Sequence, residues 1–250
     1  PLMAATVLPS TMDAARRAAA AGAPVGTAVA AEEQTAGRGR RGRRFVSPRG
    51  GLYMTVLAPA PEPLALSPRA GLFAGLAVAE ALEALGARVE IRWPNDLYQP
   101  QGKVGGILAE LWTPAGGRAA RLLVGIGIDV ACDPRRTDPE AAGPGAALRG
   151  LGAADPVAAV AAEILARLPL RLGDTGSLAV RSALESLHSR MTPRPGEEAT
   201  VRLANGRRIA GRTVGLDDEG ALLIATGGGT TRVLTGEVVA CEPRPGKGSR

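Results

Sequence analysis

Hydrophobic and polar positions along this chain fall into two textures, long periodic segments as far as residue 190 and short alternating ones beyond it. An alanine-rich run follows Ser10-Thr11-Met12-Asp13 as far as Ala21. Ser10 or Thr11 is a natural N-cap there, and Gly22 with Pro24 closes the predicted helix. Val25–Ala31 predicts a strand. Leu52–Leu57 alternates in strand fashion and is closed by Pro59 and Pro61. Ser67-Pro68 opens a long helix carrying Leu72, Leu76, Val78, Leu82 and Leu85, stopped by Gly86. Val89–Trp93 predicts a strand that ends at Pro94. Val104–Trp112 and Leu122–Val130 are apolar enough to be central strands of a sheet. Residues 132–155, rich in Pro, Gly, Asp and Arg, predict a surface loop, and Pro156–Leu168 and Ser177–Arg190 predict helices.

After Thr192-Pro193-Arg194-Pro195-Gly196 the pattern shortens to five apolar segments, Ala199–Leu203, Arg208–Leu216, Ala221–Ala225, Thr230–Leu234 and Val238–Cys241. Asn205-Gly206, Asp217-Asp218-Glu219-Gly220 and Gly227-Gly228-Gly229 connect them. Asn-Gly between alternating segments is a strong hairpin signal, because both central residues of a tight hairpin turn need positive φ. The expectation is a small β-barrel in residues 192–250 behind a larger α+β domain in residues 1–191.

Composition narrows the class. The chain has 250 residues, 45% hydrophobic and 22% charged, which is a soluble globular balance. The only long apolar stretches are the predicted helices and strands, so no membrane span is expected. The opening residues lack a basic segment followed by an apolar run, so no signal peptide is expected and the cytoplasm is the expected location. Cys132 and Cys241 lack metal-like spacing and predict free thiols rather than a disulfide or a zinc site. The single histidine, His188, falls in a predicted helix and is expected to pack.

A formal charge of +6 favours phosphate ligands, acidic partners or nucleic acid without choosing among them. Aromatics at 2% leave few stacking platforms for nucleobases, which counts against a single-strand-binding role. The positive charge concentrates in Gly37-Arg38-Gly39-Arg40-Arg41-Gly42-Arg43-Arg44, five arginines and three glycines in eight residues. Glycine frees the backbone and arginine resists burial without a partner, so the segment reads as a mobile loop that closes on an anion. Alone it serves a nucleic acid as well as a nucleotide. Lys103, on an expected turn, is followed by Val104-Gly105-Gly106. That places an ammonium beside two residues with no side chain, where a substrate could lie against the backbone.

Taken in order, Ser10-Thr11-Met12, Gln34, the arginine loop, Gly51-Leu52-Tyr53, Arg92-Trp93-Pro94-Asn95-Asp96-Leu97, Lys103-Val104-Gly105-Gly106-Ile107-Leu108 and Gly125-Ile126-Gly127-Ile128 resemble the biotin–protein ligases. Asp218-Glu219-Gly220-Ala221-Leu222 and Thr235-Gly236-Glu237-Val238 resemble the C-terminal module of that family less sharply. The resemblance is to the monofunctional type, without the DNA-binding domain that some members carry in front. It implies a mixed sheet packed with helices, like that of class II aminoacyl-tRNA synthetases, followed by an SH3-like barrel. It also implies activation of biotin by ATP with Mg²⁺, and transfer to a lysine of a biotin carboxyl carrier protein of acetyl-CoA carboxylase or a related carboxylase.

By the same resemblance, Ser10, Thr11 and Gln34 read the ureido ring of biotin. Gly37, Arg38, Gly39, Arg40, Gly51, Lys103, Gly106 and Gly127 complete the biotin site, with Gly51, Gly106 and Gly127 leaving room and supplying backbone contacts. Arg40, Arg41, Gly42, Arg43, Trp93, Asn95 and Lys103 hold ATP and the adenylate. Lys103, Arg38 and Arg40 are the implied catalytic cations. Asp96 orients or deprotonates the carrier lysine, and Mg²⁺ is held through phosphates and Asn95. Two residues depart from the family pattern. Asp129 stands where Asn is common and is assigned no ligand contact. Phe45 stands where Trp is usual, with packing on the adenine as its expected role. A lipoate or octanoyl ligase of related fold is the nearest alternative, and a nucleic-acid-binding regulator using the basic loop a more distant one. No DNA or membrane partner is expected. Exposed sheet edges are compatible with a homodimer.

Overall fold

The computed structural model describes residues 1–62, 67–114, 120–139, 145–173 and 177–242. Its larger part is a sheet of eight strands in the order β1-β2-β3-β7-β6-β5-β4-β8. These are β1 (Leu2–Leu8), β2 (Ala28–Gln34), β3 (Leu52–Pro59), β4 (Glu90–Arg92), β5 (Asp96–Gln99), β6 (Gly102–Trp112), β7 (Arg121–Ile128) and β8 (Met191–Thr192). β1 pairs parallel with β2, and β4 parallel with β8; the other neighbours are antiparallel.

Strand alternation sorts side chains to two faces. Leu52, Met54 and Val56 of β3 and Leu122, Val124, Ile126 and Ile128 of β7 join one cluster with α2 (Ser67–Ala84), α3 (Pro156–Gly173) and α4 (Ser177–Arg190). Leu57 and Leu123 point the other way, onto Met12, Ala15 and Ala19 of α1 (Thr11–Ala20). That second face carries only one short helix, and the uncovered area beside it becomes the site.

Five antiparallel strands follow, β9 (Glu198–Arg202), β10 (Arg208–Leu216), β11 (Leu222–Thr226), β12 (Gly229–Val233) and β13 (Glu237–Glu242), in the order β12-β11-β10-β9-β13. Val201, Ile209, Leu216, Leu222, Ile224, Val233 and Val238 belong to the same continuous core as the helices. Three hydrogen bonds mark the seam: Trp93 Nε1 donates to Gly220 O (3.2 Å), Arg69 Nη1 to Asp218 O (2.8 Å), and Leu216 N to His188 Nε2 (3.3 Å). His188 therefore packs, as expected, between α4 and the second sheet.

Several expectations need correction. β1 and β5 were not foreseen. β1 is an exposed edge strand without clean alternation, and β5 begins inside the Pro-Asn-Asp turn signal, where pairing with β4 and β6 overrides it. Lys103 lies in β6, not on a turn. β2 starts three residues later than expected, because Pro24 and positive-φ Gly26 still belong to the preceding turn. Ser10 occupies the N-cap, but its side chain makes no capping bond. Cys132 is buried and Cys241 half-buried, both free as expected. No described helix is long and apolar enough to cross a membrane. Within the expected 132–155 loop, residues 140–144 lie outside the described residues, as do 243–250 of the second module.

Candidate active site

A cavity of about 450 Å³ opens on the α1 face of the large sheet. Its floor is made by absent side chains. Gly125, Gly127 and Asp129 alternate onto this face of β7 and its extension, and Gly106 onto this face of β6. A Cβ on Gly125 would lie 2.8 Å from Met12 Cε, and one on Gly127 would lie 2.6 Å from Phe45 Cε1. Both glycines thus let neighbouring side chains rest on bare strand.

One end of the cavity is polar and uncharged. Gln34 Oε1 accepts from Thr11 N (2.8 Å) and Thr11 Oγ1 (3.1 Å). Thr11 Oγ1 also meets Thr55 Oγ1 (2.9 Å), and Gln34 Nε2 donates to Ser47 Oγ (2.9 Å). Ser10 lines the same end, almost wholly buried. Three segments distant in sequence thereby present hydroxyls and an amide held in fixed orientation.

The middle is ionic. Lys103 Nζ donates to Asp96 Oδ1 at 2.7 Å, with both side chains about three-quarters buried. Asn95 is fastened to β6, its Nδ2 donating to Ile107 O (3.0 Å) while its own carbonyl accepts from Ile107 N (2.8 Å). Asn95 Oδ1 in turn accepts from Arg40 Nη1 (2.9 Å).

The arginine loop forms the outer wall and is closed into a hairpin. Gly39 N donates to Arg43 O (2.7 Å) and Phe45 N to Gly37 O (2.9 Å), around a 3-10 turn at Arg40–Gly42 in which Arg41 adopts φ 58°. Its side chains fan outward to different partners. Arg38 pairs with Asp13, Arg44 with Asp138 (2.8 Å) and Arg43 with Glu237 (3.2 Å). Arg40 has no carboxylate within ion-pairing distance among the described residues. It reaches Thr235 Oγ1 (2.7 Å) and Gly236 O (3.3 Å) in the second module. Burial, reinforced by neighbouring Arg41, pulls the Arg40 guanidinium below its usual range, as expected for a cation held short of counter-charge.

The cavity wall thus gathers Ser10, Thr11, Gln34, Arg38, Gly39, Arg40, Arg43, Asn95, Asp96, Lys103, Gly106 and Gly127 from the sequence-derived set. Five of that set stand elsewhere. Gly37 turns toward Phe45 O and Ser47 Oγ, where a Cβ would collide, and a Cβ on Gly51 would strike the Tyr53 hydroxyl. Both glycines shape the wall from behind without lining it. Arg41 and Gly42 form the outer tip of the loop and also do not line the cavity. Trp93 is 1% exposed and borders a smaller, neighbouring cavity of about 260 Å³ at the seam. Its indole holds the two modules together, so any ligand contact it makes is from that side.

Sequence reasoning missed Thr55, Gly125, Thr235 and Gly236. Only three-dimensional pairing brings Thr55 beside Thr11, and only module docking brings Thr235-Gly236 beside Arg40. Asp129, left without a contact from the sequence, lines the cavity at 3% exposure.

The comparisons with known proteins agree with this geometry. Residues 4–129 match the family model described as "Biotin/lipoate A/B protein ligase family", and residues 196–239 match "Biotin protein ligase C terminal domain". The biotin–[acetyl-CoA-carboxylase] ligase of Paracoccus denitrificans is 35% identical over 219 residues, covering 84% of this chain and 88% of that protein. The enzyme of the same name from Mycobacterium tuberculosis is 32% identical over 229 residues, covering 88% and 82%. Among solved structures, the biotin protein ligase from Aquifex aeolicus in complex with biotin and ATP superposes with a TM-score of 0.75 at 28% identity, over 96% of this chain and 98% of that one.

Proposed function

The chain belongs to the biotin/lipoate A/B protein ligase family, and on that premise we propose how its cavity carries out ATP-dependent biotinylation of a carrier protein. The reaction has two steps. A biotin carboxylate oxygen attacks the α-phosphorus of ATP, the bond to the β-phosphate oxygen breaks, and biotinyl-5′-AMP and pyrophosphate form. A carrier lysine nitrogen then attacks the acyl carbon, AMP leaves with the bonding pair, and the amide nitrogen gives up its proton.

The observation that carries the assignment of roles is the Lys103–Asp96 pair on the cavity floor. In the first step two anions must meet, and a fixed cation between them reduces their repulsion and stabilises the charge of the transition state. Lys103 exchanges Asp96 for the ligand's carboxylate and α-phosphate. That exchange leaves the Asp96 carboxylate free to orient, and take a proton from, the incoming ammonium, which attacks only when neutral. One side-chain movement thereby couples the two steps. Thr11 and Gln34, already locked together, meet the carbonyl and the two N–H groups of the ureido ring. Arg38, Arg40 and Arg43 surround the phosphates, and the loop carrying them excludes water from a hydrolysable mixed anhydride.

No group of three or more His, Cys, Asp or Glu side chains that could hold a metal occurs among the described residues, and Asn95 and Asp96 line the same cavity as Lys103. That donor set fits Mg²⁺ brought in on phosphate oxygens with Asn95 as a protein contact, because magnesium keeps waters and takes few protein ligands. When bound it would neutralise phosphate charge. The acceptor is a biotin carrier protein, with acetyl-CoA carboxylase or a related carboxylase as its parent enzyme. A homodimer through a sheet edge is part of the same reading. The arginines count against the nucleic-acid alternative, since three of them are already paired with carboxylates of this chain, Asp13, Glu237 and Asp138.

Incubation with biotin, MgATP and an apo-carrier domain is expected to add the mass of one biotinyl group to the carrier. Parallel arms with lipoate or octanoate test the related-fold alternative. Transfer of lipoate in preference to biotin would reverse the assignment.

A further inference from the structure

Gly37 faces away from the cavity, toward a chain of hydrogen bonds that no role above uses. A Cβ there would collide with Phe45 O and Ser47 Oγ and crowd Gln34 Nε2. Those three atoms are joined to one another. Ser47 Oγ donates to Phe45 O (3.0 Å), and Gln34 Nε2 donates to Ser47 Oγ (2.9 Å). The glycine leaves the space in which they meet. The backbone fixes the arrangement: Gln34 N donates to Ser47 O (3.1 Å) in an antiparallel bridge, and Phe45 N donates to Gly37 O (2.9 Å). Ser47 is 4% exposed and does not line the cavity, whereas Gln34 does.

The chain has a direction. A hydroxyl carries one hydrogen, and that of Ser47 goes to a carbonyl, so toward Gln34 its oxygen can only accept. At the other end of the amide the Thr11 backbone N–H can only donate, and it meets Gln34 Oε1 (2.8 Å). Thr11 Oγ1 donates to the same oxygen (3.1 Å), which leaves the Thr55 hydroxyl to donate to Thr11 Oγ1 (2.9 Å). The Gln34 oxygen is thus committed to Thr11 and its nitrogen to Ser47. Among the side chains of Thr11, Gln34, Ser47 and Thr55, the polar hydrogen left unspent is the second N–H of Gln34.

We propose that Ser47 is a positioning residue for biotin: by holding the Gln34 nitrogen it keeps the remaining N–H aimed at the ureido carbonyl, and so sets the hydrogen-bond polarity that this end of the cavity reads. This rests on the ligase reading above. Ser47 touches no ligand and acts through Gln34, while Gly37 supplies the room. The terminal torsion of a glutamine is broad, so the amide plane is defined only by its partners. With Ser47 removed the amide turns, and the preference for a carbonyl oxygen at that point weakens.

The test compares biotin with 2-iminobiotin, whose guanidinium presents N–H where biotin presents the carbonyl oxygen. Affinities are measured by calorimetry on the parent and on Ser47→Ala. In the parent, iminobiotin sets N–H against N–H and is expected to bind more weakly than biotin. Ser47→Ala is expected to weaken biotin by about 3–10-fold, the worth of one hydrogen bond, and to leave iminobiotin within about twofold, so the preference narrows by that ratio. The KM for biotin is expected to rise while kcat for pyrophosphate release keeps its parent value, because Lys103 and the arginines are untouched. Ser47→Cys puts a weak acceptor at the same place. It is expected to narrow the preference in the same sense, and it carries the test if the alanine protein does not fold. Equal affinity of the parent for the two ligands overturns the proposal. So does equal weakening of both by the substitution, as a general loosening would give, or an unchanged preference. Failure of the parent to bind biotin at all overturns instead the ligase reading on which it rests.

Discussion

The two walls of the cavity work by opposite means. The outer wall, Gly37–Arg44, acts through what its side chains carry: guanidinium groups on a short hairpin, four of them tied to partners outside the loop. The floor, Gly105-Gly106 against Gly125-Ile126-Gly127, acts through what its residues lack. It is regular antiparallel backbone inside the sheet, and its glycines leave the space into which Met12 and Phe45 settle. The outer wall can move only by exchanging ion pairs, whereas the floor cannot move without breaking the sheet. Charge is therefore placed on the adjustable side of the ligand and shape on the rigid side. Lys103 belongs to both, a cation rooted in β6 and aimed across the cavity.

The contrast can be broken at three points. The largest effect is expected at Lys103, where the two walls meet. Lys103→Ala removes a preorganised cation from the centre of charge development and is expected to slow pyrophosphate release by on the order of 10²–10³-fold, the usual cost of losing one such group. Normal pyrophosphate release in that variant would remove Lys103 from the chemistry. An intermediate effect is expected on the floor. Gly127→Val sets new atoms against Phe45 Cε1, already 2.6 Å from where a Cβ would begin. Overpacking of about 1–3 kcal/mol corresponds to roughly 5–150-fold weaker nucleotide binding, with biotin less affected. Equal losses for both ligands would show that the floor is one undivided surface.

The smallest effect is expected where the outer wall is anchored. Glu237 sits between Arg202 (2.8 Å) and Arg43 (3.2 Å), and its carboxyl is held below the usual range by the Arg202 hydrogen bond, with both arginines contributing. It is partly exposed, so Glu237→Gln is expected to cost less than about 1 kcal/mol, a fewfold change in the adenylation rate that shrinks in high salt. A loss as large as that of Lys103→Ala would mean that anchoring the loop, rather than the cation beneath it, limits the reaction.

Legibility from sequence follows the same division. The outer wall stands out in composition, because no buried element is built from five arginines and three glycines. The long apolar runs identify β6 and β7, and the Asn-Gly and acidic turns identify the strands of the second sheet. The floor is quieter. Gly127 reads as room left for a ligand, and nothing local shows that Met12 and Phe45 rest on Gly125 and Gly127. Lys103 reads as a turn residue because Gln101-Gly102 before it resembles turn chemistry, although positive-φ Gly102 is the first residue of β6. Thr55 carries no local signal at all, and the motif at Thr235-Gly236 does not show that Arg40 is its partner, since each threonine gains its neighbour by packing between segments more than forty residues apart. Asp129 was legible as a departure from pattern, but the burial of its Oδ1 without a hydrogen-bond partner is a property of the folded surroundings alone.

The turn that carries Thr235 and Gly236 bears on how the enzyme could be divided or recombined. Arg40 donates hydrogen bonds to that turn and to Asn95 at once, so one guanidinium ties the second sheet to the turn between β4 and β5 of the first. The second module cannot be treated as a detachable accessory or exchanged for a barrel of similar shape. A graft would have to reproduce a carbonyl and a hydroxyl within reach of Arg40. Within this architecture those two oxygens are what the arginine loop of the first module requires of the second.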